Sequence, residues 1–191
     1  RTDWLEHNTG HSDVGAVHKS WAKIWKPQVR PKIRVFAWRL AKTSLPMGDV
    51  RKERSVADTA ECSICHAAVD NWRHSLFECH MAKCVWALAD EEVIEVIISN
   101  RSEDAKLWLF WLMDTLPTME LTRVLVTMWA IWWVRRRAIH DDQFQGPMST
   151  HCFVTKFLEE LEMAADQRPN AQGHARDLHV NLQEAQGART S

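Results

Sequence analysis

Cys62-Ser63-Ile64-Cys65, then His74, then Cys79, is the stretch from which the rest of the chain is read. Three thiols and an imidazole fall within 18 residues. Tetrahedral zinc takes four ligands of this kind. Two cysteines separated by two residues can turn both sulfurs toward one point from a tight knuckle. His74 and Cys79 stand where a short helix supplies the other two corners. A lone Cys-x-x-Cys also arises by chance and in redox motifs, and the His and Cys close behind it make this set more specific. His66, His80 and Cys84 lie nearby. Cys84 reads first as a small buried side chain of a following helix. The ligands assigned are Cys62, Cys65, His74 and Cys79, with Cys84 or His66 in reserve.

The chain has 191 residues, enough for one domain with a sizeable core and a tail. Its net charge of −1 predicts no partner. Eleven Trp and no Tyr point to indole rings in the core. Four of the five Cys fall between positions 62 and 84, and the fifth is Cys152. Such clustering suits a metal site in a reducing, intracellular compartment, nucleus or cytoplasm, rather than a disulfide scaffold. The start at Arg1, polar and without a signal peptide, reads as part of a longer polypeptide. The most apolar window, Val124 to Val134, is flanked by Arg123 and by Arg135-Arg136-Arg137. It is too short for a membrane span, which takes about 20 residues, and reads as a buried helix.

Outward from the knuckle the spacing is helical. Val14, Val17, Trp21, Ile24 and Trp25 predict a first amphipathic helix starting near Ser12-Asp13. Pro31 opens a second, with Ile33, Phe36, Ala37 and Leu40 as its inner stripe. Asp49 is the expected cap of a short helix to Arg54, and Asp70 of one running to Glu78. Cys79, five residues past His74, belongs at that helix's fraying end. Met81 to Leu88 reads as helix, and so does Glu91 to Ser99 despite its β-branched residues. Ser102 is the expected cap of a helix over Glu103 to Thr115. The longest helix is predicted from Met119 to about Asp142, with Leu121, Val124, Leu125, Met128, Trp129, Trp132 and Ile139 inward. Ser149 or Thr150 caps a last helix to Ala165, striped by Phe153, Phe157, Leu158 and Leu161.

The fold class is therefore all-α, with a small zinc knuckle inserted between helices and little or no strand. Residues 1–12 are expected to be loosely ordered and 13–100 to form the zinc-binding domain. Residues 101–165 form a Trp-rich helical region packed on it, and 166–191 a flexible, polar linker or tail.

Trp25 to Leu40, Leu45-Pro46, the CSIC knuckle, Asp70 to Cys79 and Ala82 to Trp86 together resemble the zinc-binding domain of plant non-LTR retrotransposon reverse transcriptases. The resemblance spans roughly residues 21 to 88. The helix Trp129 to His140 is similar to the aromatic, basic helix that often follows this module, before a linker to a ribonuclease H domain. Two positions depart from the family pattern: Ser63 stands where Pro is common and His66 where Gly is common. The residue after the second Cys needs φ > 0, which His tolerates better than a β-branched residue does. The resemblance implies a structural Zn2+, a coordinatively full site and no catalysis. The polymerase and ribonuclease H carboxylates of the family lie outside this sequence.

No phosphate loop, GxSxG or HExxH is present. Asp141-Asp142 reads as a solvated helix end. Between Val14 and Gly48 there is no acidic residue. Lys26, Arg30, Lys32, Arg34, Arg39 and Lys42, extended by Arg51, Lys52 and Arg54, form a basic stripe that can follow a phosphate backbone. Trp72 is the candidate ring for base stacking, and RNA or single-stranded nucleic acid the candidate partner. The competing reading is a domesticated protein-interaction domain with an exposed Trp-rich face. That face would meet neighbouring polymerase and ribonuclease H domains or another protein.

Overall fold

A computed structural model describes residues 21–166, and every regular element among them is helical. In chain order these are α1 Pro31–Ala41, α2 Gly48–Glu53, a π turn His74–Glu78, α3 His80–Trp86, α4 Glu91–Ser99, α5 Ala105–Thr115, α6 Thr118–His140 and α7 Pro147–Asp166. The chain divides into two units, Arg1–Lys156 and Phe157–Ser191. Of the second, residues 157–166 are described, and they are helical. The expected first helix lies mostly outside the described residues. Within them, 21–23 are helical, Ile24 is buried and Trp25 is exposed. The expected flexible tail falls outside them apart from Asp166, the last residue of α7.

Pro31 sits in the first turn of α1, where its missing N–H costs nothing. Ile33, Phe36, Ala37 and Leu40 are buried, as their spacing predicts, and α1 packs on α5 and α6. Its end is closed by a Schellman pair. The Thr43 N–H donates to Leu40 O at 3.0 Å and the Ser44 N–H to Arg39 O at 2.9 Å. Thr43 pays for this closure with φ 48°, a conformation that suits glycine and strains a β-branched residue.

Helix α2 starts at Gly48, two residues earlier than a cap at Asp49 allows. Asp49 lies inside the first turn, its Oδ1 accepting from the Val50 N–H at 2.7 Å. A Cβ on Gly48 would lie 2.6 Å from the Ala60 carbonyl oxygen and 2.8 Å from Asp70 Cβ. Glycine is required here by close approach: the segment leading into the knuckle rests directly on α2.

The cap of α5 is Asp104 and not Ser102. Asp104 Oδ1 accepts from the N–H groups of Lys106 and Leu107, at 2.7 and 3.1 Å. The cap must directly precede the first helical turn, and an anionic carboxylate there also suits the helix dipole. The Ser102 hydroxyl donates to the Asp104 carbonyl instead. Helix α4 is helical despite its β-branched run, because helical spacing puts Val93 and Ile97 on one buried side. Helix α7 begins at Pro147, ahead of both expected caps, and Thr150 Oγ1 donates back to Gly146 O. Phe153, expected on the inner stripe, is 39% exposed, and Val154 takes the buried position.

Helix α6 carries the core. Between Leu121 and Ile131 only Arg123 is exposed, while Trp132 and Ile139 are half-buried rather than inward. Thr127 is accommodated because its hydroxyl donates to the Arg123 carbonyl. Val124, Leu125, Met128 and Ile131 are fully buried, as are Trp108, Leu109 and Leu112 of α5. Each such side chain contributes about 1.5–3 kcal/mol by leaving water. Trp72, Phe77, Trp86 and Trp108 form one aromatic cluster, with ring centroids 5.2 to 6.3 Å apart. The indoles divide: Trp72, Trp86, Trp108 and Trp129 are buried, whereas Trp25, Trp38 and Trp133 are exposed.

Candidate metal centre

Backbone bonds shape the knuckle. The Cys62 N–H donates to Ala67 O and the His66 N–H to Cys62 O, both at 2.9 Å. His66 turns the chain at φ 59°, the left-handed position at which glycine is common in the family. Its imidazole lies 2.9 Å from the Glu61 carboxylate. The Asp70 N–H then donates to Ala60 O at 2.7 Å.

Asn71, and not Asp70, caps the helical segment that follows. Its Oδ1 accepts from the His74 N–H at 2.8 Å. The segment then widens into the π turn, closed by the Cys79 N–H on His74 O at 2.7 Å. An α-helix rotates residues five apart by about 140°. A π turn bonds i to i+5 and returns them to one side. The spacing of five that exceeds an α-helical turn is thus one turn of the wider helix, and Cys79 directly precedes α3.

The side-chain atoms of Cys62, Cys65, His74 and Cys79 all lie within 4.8 Å of one another. Cys62 Sγ and Cys79 Sγ are 4.0 Å apart, and Cys65 Sγ is 3.3 Å from His74 Nε2. Zn–S bonds near 2.3 Å and Zn–N bonds near 2.0–2.1 Å give a tetrahedron with edges of about 3.5–3.8 Å. The two measured edges bracket that range. Three soft donors and one borderline donor, Cys62 and Cys79 fully buried, therefore fit a tetrahedral cation. Cys84 lies outside the group, its Sγ 3.8 Å from His80 Nε2, and His66 faces Glu61.

Two buried charges stand against the cluster. Arg135, from α6, donates to Asp70 Oδ1 at 2.8 Å and to Cys62 Sγ at 3.5 Å. Asp70 also accepts from Ser75 Oγ at 2.6 Å and from the Gly48 N–H at 3.3 Å. Asp70 is thus a junction between α2, the π turn and α6. Burial opposes the Arg135 charge, but Asp70, Cys62 and Cys79 outweigh it, and its pKa moves up. Burial pushes the Cys79 thiol up to about 11. Burial also opposes ionisation of Cys65, yet hydrogen bonds from Ala67, Cys62 and Cys79 outweigh it and the net direction is down.

Arg135 was not legible as part of the site from its place in the basic run after the apolar window. The available signal is periodicity: Val124, Met128 and Ile131 continue to position 135 on one helical face.

The other expected contact residues differ in exposure. Lys26, Arg30, Lys32, Lys42, Lys52 and Arg54 are exposed, and Arg34, Arg39 and Arg51 are half-buried. Arg34 donates to Trp25 O and Arg39 to Ser44 O. The Lys42 ammonium lies 4.6 Å from the Trp21 ring centroid. Trp72, the ring expected to stack on bases, is buried. The ring is 8% exposed and its N–H is spent on Glu103 O at 2.7 Å. It packs among Phe77 and Trp108, where a base has no access.

No helix among the described residues is long and apolar enough to cross a membrane. No curated protein and no solved structure matches the chain. Residues 5–86 match the family model described as zinc-binding in reverse transcriptase. That span contains the whole four-residue cluster and ends with α3. Over residues 5–86, less than half of its length, the chain is similar to the zinc-binding domains in reverse transcriptases.

Proposed function

We propose that Cys62, Cys65, His74 and Cys79 hold a structural Zn2+ in a non-catalytic module of a retrotransposon-type reverse transcriptase polyprotein. The module assists binding of RNA or DNA through the basic residues of α1. The observation that carries the first part is the closed donor set, four protein side chains within 4.8 Å of one another. A catalytic zinc keeps one position for water or substrate, whereas four protein ligands fill the tetrahedron. The ion's role is then to hold the segment from 55 to 80, which has few buried apolar side chains before Trp72.

Elemental analysis of the purified chain tests this, with one zinc per chain expected. Cys62→Ser and Cys79→Ser should each lose the ion and lower the unfolding midpoint. Both variants folded with full metal content would overturn the ligand set.

The protein-interaction reading has its own support in a cleft of about 580 Å³ between α3 and α4, lined by Phe77, Trp86, Ile94, Ile97 and Ile98. Retention of this chain by immobilised polymerase or ribonuclease H domain, abolished by Ile98→Asp, would favour it.

A further inference from the structure

We propose that a second cleft, formed by α1, α6 and Phe153 of α7, binds single-stranded nucleic acid by base stacking. It rests on the nucleic-acid role proposed above for α1 and names the surface and the form of strand. The cleft measures about 460 Å³. Its aromatic wall is continuous. Trp129 and Trp133 are stacked at 6.2 Å, Trp129 and Phe153 lie 6.0 Å apart, and Phe36 meets Trp132 at 5.6 Å. Trp133 and Phe153 stay 40% and 39% exposed although both touch other rings. Aromatic faces left to water in this way are what unstacked bases need.

The cationic part comes from the same helices. Lys32 and Arg39 of α1 line the cleft, and the Lys32 ammonium sits 4.1 Å from the Trp129 centroid. The Arg136 guanidinium lies 5.9 Å from the Trp132 ring. Among the described residues no acidic side chain lines this cleft, whereas the cleft between α3 and α4 sets Glu78 and Glu103 among Arg73, Lys83 and Arg101. A lining of Lys32 and Arg39 without carboxylates suits a polyanion. Burial, then the neighbouring Arg30, draws the Lys32 pKa down. An arriving phosphate offsets the repulsion from Arg30. The aromatic faces select within polyanions. A duplex keeps its base faces in its own stack, while a single strand can splay them onto Trp132, Trp133 and Phe153. The occupant is thus an unpaired strand, its bases on the indoles and its phosphates at Lys32 and Arg39.

The test uses the full metal-loaded chain and a fluorescently labelled oligouridylate, read by anisotropy across a salt series. Duplex RNA and heparin, a polyanion without bases, serve as comparisons. The oligouridylate should bind more tightly than the duplex. Trp133→Ala and Phe153→Ala should each weaken it about tenfold while leaving heparin binding unchanged, and Trp133→Phe should restore most of the loss. Both positions are partly exposed, and metal content with thermal melting verifies that the variants fold. Salt-dependent binding that neither aromatic variant weakens would overturn the cleft and leave the basic helix standing. Equal loss on heparin would do the same. No binding of any nucleic acid would overturn both, as would preference for an acidic aromatic peptide over the oligouridylate.

Discussion

Asp70 and Arg135 carry opposite charges whose side chains are only 6% and 5% exposed, and each depends on the other. Removing one partner of such a buried pair leaves an uncompensated charge and costs about 3–5 kcal/mol. Arg135→Met should lower stability by that amount in chemical denaturation of the metal-loaded chain. The double variant Asp70→Asn, Arg135→Met should recover part of it, because no charge is then left alone. Additive losses would mean that the pair is not coupled.

The thiols predict a second effect. Without an ion, burial keeps Cys79 protonated up to about pH 11, above the ordinary thiol. An ion must displace that proton, so apparent metal affinity should fall by about tenfold per pH unit for each proton displaced as pH drops. Competition with a chromophoric chelator at two pH values near neutrality measures the slope. At this scale the cluster of Cys62, Cys65, His74 and Cys79 was legible because sulfur and imidazole at short spacing have few other uses. Asp70 was legible only as a helix cap, because a carboxylate's distant partner leaves no local trace. Arg135 was hidden by its neighbours Arg136, exposed, and Arg137, half-buried, which look the same in sequence.

At the scale of elements the sequence was read well wherever burial followed helical period, as in α1 and α4. It failed at the ends. Caps at positions 49, 70, 102 and 149–150 were assigned by residue type, yet the cap is whichever residue directly precedes the first turn, and several polar candidates stood within two positions. The π turn had no signature except the five-residue spacing itself. The Schellman closure after α1 offers a direct test. Thr43 holds φ 48° at a cost of about 1–2 kcal/mol in left-handed strain. Thr43→Gly relieves this and gives back part as unfolded-state entropy. The variant should gain about 0.5–1 kcal/mol in denaturant titration, without change in metal content.

Over the whole molecule, the family span ends at residue 86 but the cluster's surroundings do not. Trp108 of α5 completes the aromatic cluster around Phe77, and α6 both packs on the π turn and supplies Arg135. A chain ending at residue 86 keeps all four residues of the cluster and loses these supports. It should bind metal more weakly than the full chain and melt without a cooperative transition in circular dichroism. An all-helical fold was legible at this scale. The dependence of the matched span on the unmatched one was not, because periodicity gives each helix a buried face without naming its neighbour.

The salt bridge from Arg135 to Asp70 also sets an order of events during synthesis. On the ribosome, residues 62 to 79 emerge well before residue 135 does, so the knuckle can capture its ion while that guanidinium has yet to be translated. Asp70 must wait in water until α6 arrives. Metal capture can therefore come early, and the dry, charge-balanced interior around it is sealed late.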